Sequence, residues 1–153
     1  MTKEPDSSER LVAQNRRASH DYFILETYEA GIVLTGTEVK SLRTGHASLS
    51  EAYATVENDE AFVIQLHIPP YAHLSHVDYQ PTRSRKLLMH RSEIDRLDSQ
   101  AQAKGLTLIP LEIYFKNGIV KVTVGLAKGK KTADRREEIK KRESDREIRR
   151  VRG

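Results

Sequence analysis

Residues Leu106 to Leu126 read Leu-Thr-Leu-Ile-Pro-Leu-Glu-Ile-Tyr-Phe-Lys-Asn-Gly-Ile-Val-Lys-Val-Thr-Val-Gly-Leu. Two apolar arms flank Asn117-Gly118, the strongest short-range signal for a β-hairpin, because both residues tolerate the positive φ of a primed turn. In the second arm Ile119, Lys121, Thr123 and Gly125 alternate with Val120, Val122, Val124 and Leu126. That period of two describes a strand with one buried and one wet face. The first arm is expected over Leu106–Phe115 and the second over Ile119–Leu126.

Working outward, a second hairpin is expected. Ala47 to Glu57 alternates weakly through Leu49, Ala52, Ala54 and Val56. Asn58-Asp59-Glu60 makes the turn, and Ala61 to Ile68 returns with Phe62, Ile64, Leu66 and Ile68 on one face. Pro69-Pro70 ends that strand, since proline has no ladder donor. Earlier, Leu11-Val12-Ala13 starts a short strand, Asn15 to His20 is a turn, and Tyr22 to Leu34 is a strand with an irregularity. Gly31 is expected to mark a bulge or sharp bend. Between Pro70 and Lys86 lies a long loop with no period. Lys86 to His90 is a short apolar element. Ser92 is expected to open a helix with Asp95 completing a capping box, Ile94 and Leu97 facing inward, and Gly105 closing it.

About six strands with short helices between them predict a mainly β fold, an antiparallel oligonucleotide-binding-type barrel, which removes exposed strand edges by closure. The domain is expected over residues 11–127, after a polar, disordered N-terminus at 1–10 and before a flexible basic C-terminal tail at 128–153.

Gly31 to Arg43 runs Gly-Ile-Val-Leu-Thr-Gly-Thr-Glu-Val-Lys-Ser-Leu-Arg: an apolar strand end, a glycine corner, then a helical pattern. Val39 and Leu42 define its inner face, Thr35 or Thr37 caps it, and Gly45 stops it. That reading places Glu38, Lys40 and Arg43 outward beside the corner.

The formal net charge is +4 and the apolar fraction 37%. Charge is divided unevenly. Residues 128–153 carry 12 Lys or Arg against 6 Asp or Glu, whereas residues 1–127 carry 14 against 16. A neutral body with a basic tail points to a polyanionic partner reached by the tail. Glu137–Lys141, Glu138–Arg142 and Asp145–Arg149 are favourable helical pairs at spacing four. Only Ile139, Ile148 and Val151 are apolar there, too few to dock a helix on the body. The tail is therefore expected to fray when free and to be helical against phosphates, with binding steep in salt.

There are no cysteines, which excludes disulfides, thiolate metal sites and cysteine nucleophiles. No apolar run approaches the roughly 20 residues that span a bilayer, and Met1–Arg10 lacks the apolar stretch of a secretory signal. The expectation is a soluble cytoplasmic chain. His73, His76 and Asp78 are close in sequence, but the spacing is nonspecific for a metal site. Neither a phosphate-cradling Gly-x-x-x-x-Gly-Lys loop nor a serine triad can be assembled.

Several ordered blocks resemble the SsrA-binding protein (small protein B) family. They are Asn15-Arg16-Arg17-Ala18, His20-Asp21-Tyr22, Glu29-Ala30-Gly31, Gly36 to Arg43, His67-Ile68-Pro69-Pro70-Tyr71, Arg83-Ser84-Arg85-Lys86-Leu87-Leu88 and Gly125 to Lys131. The resemblance runs from about Ala13 to the C-terminus. It implies an oligonucleotide-binding barrel that grips the tRNA-like domain of transfer-messenger RNA near its elbow. It also implies a tail that enters the empty decoding site and messenger channel of a stalled ribosome. The implied partners are transfer-messenger RNA, small-subunit ribosomal RNA and, indirectly through the RNA, elongation factor Tu and alanyl-tRNA synthetase. A monomer without cofactor, metal or catalytic residue is implied, since peptide transfer belongs to the ribosome.

Carried over by position, Asn15 and Glu29 engage the RNA body. Arg16, Arg17, Glu38, Lys40, Arg43 and Lys121 stand beside them, Met89 supplies an apolar contact, and Lys128, Lys130 and Lys131 form a basic hinge. In the tail, Asp134, Arg135 and Arg136, followed by Ile139, Lys140 and Arg142, address the decoding site. Ala133 and Thr37 replace a histidine or aromatic residue and a tryptophan of some relatives, so no stacking role is carried over to either. A carboxylate suits an RNA site where it accepts base amino or imino donors. Plainer readings stand beside these: Glu38 and Lys40 as a solvated helix face, Asn15 as a turn residue, Glu29 as the ion-pair partner of a neighbouring arginine, Met89 as core. Pattern alone reaches only a generic barrel that binds RNA or single strands, such as a translation factor.

Overall fold

The computed structural model describes residues 9–71 and 79–130. Within them, seven strands and three helices run in the order β1 Glu9–Gln14, α1 Ala18–Asp21, β2 Tyr22–Ile32, α2 Gly36–Arg43, β3 Tyr53–Glu57, β4 Glu60–Ile64, β5 Arg85–Leu88, α3 Arg91–Lys104, β6 Thr107–Lys116 and β7 Ile119–Gly129. All pairings among these strands are antiparallel. The sheet runs β1-β6-β3-β4-β5-β2-β7, and β7 returns to β6. Strands β6, β3, β4, β5, β2 and β7 thus close a barrel, while β1 lies along the edge of β6 beyond the Ala54–Leu108 pairing to β3. The oligonucleotide-binding-type barrel expected from the sequence is what forms.

Local chemistry accounts for the corners. Asn117 and Gly118 have φ of 52° and 77°, and Asn58 and Asp59 have 50° and 65°. Both hairpins therefore turn through two left-handed residues, which matches the twist of the arms. Thr35 caps α2: its Oγ1 accepts from Glu38 N–H at 3.3 Å, and Glu38 Oε1 accepts from Thr35 N–H at 2.9 Å. The helix stops before Gly45, at φ 90°. α3 is capped earlier than expected. His90 is its N-cap and donates its N–H to Glu93 at 3.1 Å, while Asp95 pairs with Arg91 instead.

The irregularity of β2 also moves. Gly31 sits mid-ladder, paired with Leu88 and Lys121. The bulge is at Leu25, between Ile24 and Glu26. A Cβ on Gly31 would lie 3.2 Å from Leu88 Cβ, so glycine allows a close approach here, not a bend.

Three further expectations change. β1 begins at Glu9, inside the stretch expected to be disordered. Only Tyr53–Glu57 of the expected Ala47–Glu57 strand is strand, with one bridge from Ser48 to His67 preceding it. The return strand ends at Ile64 because Gln65 takes φ 60°. Its buried residues are Ala61 and Val63, then Leu66 and Ile68, whereas Phe62 and Ile64 are only half-buried. One left-handed residue resets the period of two.

The core fills the barrel with Leu42, Val63, Leu66, Ile113 and Val122, each fully buried, and Leu97 of α3 closes one side. Among the described residues no helix is long and apolar enough to cross a membrane.

Candidate nucleic-acid interface

The outer surface of β5, β2, β7, β6 and β1 carries the candidate site. Register places Leu88, Gly31, Lys121, Tyr114 and Leu11 in one row across five strands. Leu88 and Leu11 are each 53% exposed. Two residues from Gly31 along β2, on the same face, is Glu29, opposite Thr123. Glu29, Met89 and Lys121 line one depression of about 530 Å³ together with Lys86, Leu88 and His90. The structure therefore brings these three sequence candidates together.

Glu29 is held from β6. Tyr114 donates its hydroxyl to the carboxylate, and Lys116 Nζ reaches both oxygens at 3.4 Å. The Tyr114 hydrogen bond holds the Glu29 carboxyl below its usual range; partial burial opposes this and Lys116 supports it. Burial and the bond to Glu29 together push Tyr114 up to about 12. Glu29 is consequently an aimed, ionised acceptor with lysines on either side. Its partners are a tyrosine and a lysine, not the arginine considered from sequence.

Other candidates lie elsewhere. Asn15 is half-buried at the turn into α1, and its Nδ2 donates to the Leu49 and Pro110 carbonyls at 3.4 and 3.3 Å. Its backbone N–H donates to the Leu111 carbonyl at 2.8 Å. The bonds to Pro110 and Leu111 stitch the turn to the bulge of β6, where Pro110 and the extra residue Leu111 interrupt the ladder. Asn15 and Arg17 line a separate depression of about 280 Å³ with Tyr22 and Tyr53. Arg16 and Arg17 are exposed. Lys40 and Arg43 are both exposed on α2, and the Arg43 carbonyl accepts from Arg10 Nη2 at 3.0 Å. Lys128 is exposed on β7 opposite Phe23. Lys130 lies with its Nζ 4.6 Å from the centre of the Phe23 ring.

Glu38 does not face outward. It is 1% exposed, and neither a solvated-face nor an RNA-contact reading fits it. Its carboxylate receives Arg83, Arg85 Nε at 2.7 Å and Tyr79 Oη at 3.3 Å. Arg85 is itself 0% exposed and also donates to the carbonyls of Leu66 and Pro81. Burial pushes the Glu38 carboxyl up, yet the bonds from Arg83, Thr35 and Arg85 outweigh it and leave the group below its usual range.

Sequence reasoning missed Leu88 in favour of its neighbour Met89. Leu88 faces outward across Gly31, whereas Met89 is half-buried and packs on the core. It also missed Tyr114 and Lys116, although their alternation on β6 with Ile113 and Phe115 was readable. Lys131, Ala133, Asp134, Arg135, Arg136, Ile139, Lys140 and Arg142 lie outside the described residues, as do His73, His76 and Asp78. Among the described residues no cluster of His, Asp or Glu is placed to hold a metal ion.

Comparison with known proteins joins this geometry to a family. A family profile described as SmpB protein matches residues 12–153. The chain is 56% identical to an SsrA-binding protein of Acetivibrio thermocellus over 97% of this chain and 94% of that one. It is 54% identical to an SsrA-binding protein of Desulforudis audaxviator over 99% and 97%. A solved structure described as “tmRNA-SmpB: a journey to the center of the bacterial ribosome” superposes with a TM-score of 0.66 at 52% identity, covering 78% of this chain and 85% of that one. Matched along nearly its whole length by sequence and over 78% of it by structure, the chain belongs to the SmpB protein family.

Proposed function

We infer that this chain binds the tRNA-like domain of transfer-messenger RNA through the outer face of its barrel and delivers it to stalled ribosomes. The observation that carries this is the row Leu88–Gly31–Lys121–Tyr114 beside an ionised Glu29. Lysines meet phosphates, a carboxylate accepts from base edges, and an exposed leucine packs on a ribose or base. Leu88 takes the apolar role first carried to Met89. Asn15, Arg16 and Arg17 form the polar rim of the interface, and Lys40, Arg43 and Lys128 attract the RNA from further away.

The tail, through Lys131, Asp134, Arg135, Arg136, Ile139, Lys140 and Arg142, probes the decoding site and messenger channel of the small subunit. It fits only where messenger RNA is absent, so sensing is steric and electrostatic. The chain makes and breaks no bond and acts in the cytoplasm as a monomer. Elongation factor Tu and alanyl-tRNA synthetase meet it through the shared RNA.

A single-strand binder needs a run of aromatic faces for stacking. The row here has one aromatic, Tyr114, and its hydroxyl is tied to Glu29. That favours a folded RNA.

The test is equilibrium binding at fixed salt, comparing the full chain with a chain ending at Lys130. The tRNA-like domain is the ligand; bulk tRNA and single-stranded RNA are competitors. Both proteins should bind alike and resist both competitors, and only the full chain should support rescue of stalled ribosomes. Equal displacement by any RNA would return the chain to the generic-binder reading.

A further inference from the structure

β7 carries the chain to Gly129 without leaving the barrel. That strand stays paired with β2 to its last residue: Lys128 faces Phe23 and Gly129 faces Tyr22. The expected hinge at Lys128-Gly129 is therefore strand. The ladder then extends one more step, because Lys130 N–H donates to the Asp21 carbonyl at 2.8 Å. The side chain of Lys130 folds back over the same corner. Its Nζ lies 3.2 Å from the Ser19 carbonyl oxygen and 4.6 Å from the centre of the Phe23 ring.

Each contact has a physical reason. Ser19 belongs to a helix of four residues, Ala18–Asp21, too short to satisfy its own carbonyls. A cation at that end completes a carbonyl and meets the negative end of the helix. Phe23 stands on the outer face of β2, 36% exposed, where the barrel core gains nothing from an aromatic ring. Its face is what a lysine ammonium is drawn to. Three contacts from one short corner converge on Lys130, near the start of the basic tail.

We propose that the corner Ser19–Phe23 is a clamp that, by holding Lys130, sets the direction in which the C-terminal chain leaves the barrel. Phe23 is a positioning residue in this arrangement. Confining the first residue of a tether concentrates the rest of the tether near one target without adding any contact to it. A barrel docked on RNA would thereby aim the tail instead of merely dragging it. The functional consequence rests on the ribosome-rescue reading above; the directional consequence does not.

The absence of cysteine makes a direct test clean. Spin labels are placed on the full chain at Ala103→Cys, exposed on α3, and at Ala133→Cys. Their distance distribution is measured with Phe23 intact, with Phe23→Leu and with Phe23→Trp. Loss of the ring should lower clamp occupancy about two- to five-fold, broadening the distribution; tryptophan should restore it. Lys130→Met, which keeps the backbone bond, should broaden it likewise. In the unlabelled chain Phe23→Leu should leave affinity for the tRNA-like domain unchanged and reduce rescue. A distribution unchanged by both Phe23→Leu and Lys130→Met overturns the clamp. Equal loss of RNA affinity and rescue in Phe23→Leu overturns the positioning role and makes Phe23 an RNA contact. Were the chain to bind no RNA at all, the distance measurement would still decide the clamp.

Discussion

Replacing Glu38 by Gln separates a fold role from a binding role. The variant keeps the side-chain size and an acceptor for the Thr35 N–H cap, removes the charge and replaces the oxygen facing Arg85 by an amide N–H2 donor. Arg85, 0% exposed, is then left without its carboxylate. Breaking a buried ion pair from one side costs about 3–5 kcal/mol. For a chain of 153 residues each kcal/mol shifts Tm by roughly 2–4 °C, so a fall of roughly 6–20 °C is expected by calorimetry. The double variant Glu38→Gln with Arg85→Met should lose much less than the two single losses combined, because the stranded charge is gone. The pH dependence has a defined sign. The folded carboxyl lies below its usual range, so its contribution is full above the ordinary carboxylate value and is lost as pH falls through the lower folded value. The gap between wild type and variant should therefore close in acid. At a temperature where both are folded with β5 in the same register, affinity for the tRNA-like domain should be equal. A Tm drop under about 2 °C, or strictly additive losses in the double variant, would refute the reasoning.

Two further outcomes concern the partners of two β2 carboxylates. Tyr114→Phe removes the main bond that keeps the Glu29 carboxyl low, so the acid limb of RNA binding should move to higher pH, a shift absent in Glu29→Gln. Glu26 is held at about 2 by Arg96, whose Nη2 lies 2.5 Å away, and by Tyr28. That contribution to stability is present above the ordinary carboxylate value and is lost as pH falls toward about 2. Arg96→Met should flatten this part of the acid unfolding curve measured by circular dichroism.

What the sequence discloses is local. Asn117-Gly118 turns two strands because the turn chemistry lies within the dipeptide. Thr35 capping α2, and Ile94 and Leu97 facing the core, are legible from spacing alone. The burial of Glu38 was not legible, because its partners Arg83 and Arg85 are 45 and 47 residues away. Helical period put it on the wet side of a face defined by Val39 and Leu42. The inner face of β4 was misread because a left-handed Gln65 carries no sequence mark. Leu87, Leu88 and Met89 form an unbroken apolar run, and a period of two cannot be phased within it. Glu29 and Lys121 could be proposed from sequence, but Tyr114 reaching Glu29 depends on β6 lying beside β7.

The misreadings of Glu38 and of Leu88 share one construction. Along β5, Arg85 and Leu87 are buried while Lys86 and Leu88 are exposed. A slip of one residue would turn Leu88 inward and Leu87 outward. The buried guanidinium of Arg85 opposes such a slip, because only one phase of the strand lets it meet Glu38. An apolar residue at that position would leave the run Leu87-Leu88-Met89 nearly indifferent to phase. The Gly36–Arg43 and Arg83–Leu88 blocks are therefore coupled: Glu38 in one fixes the phase of the other. That phase decides that Leu88 lies over Gly31 and beside Lys121. Glu38, which sequence placed at the RNA, acts on the interface from inside the barrel by selecting which side chains reach it.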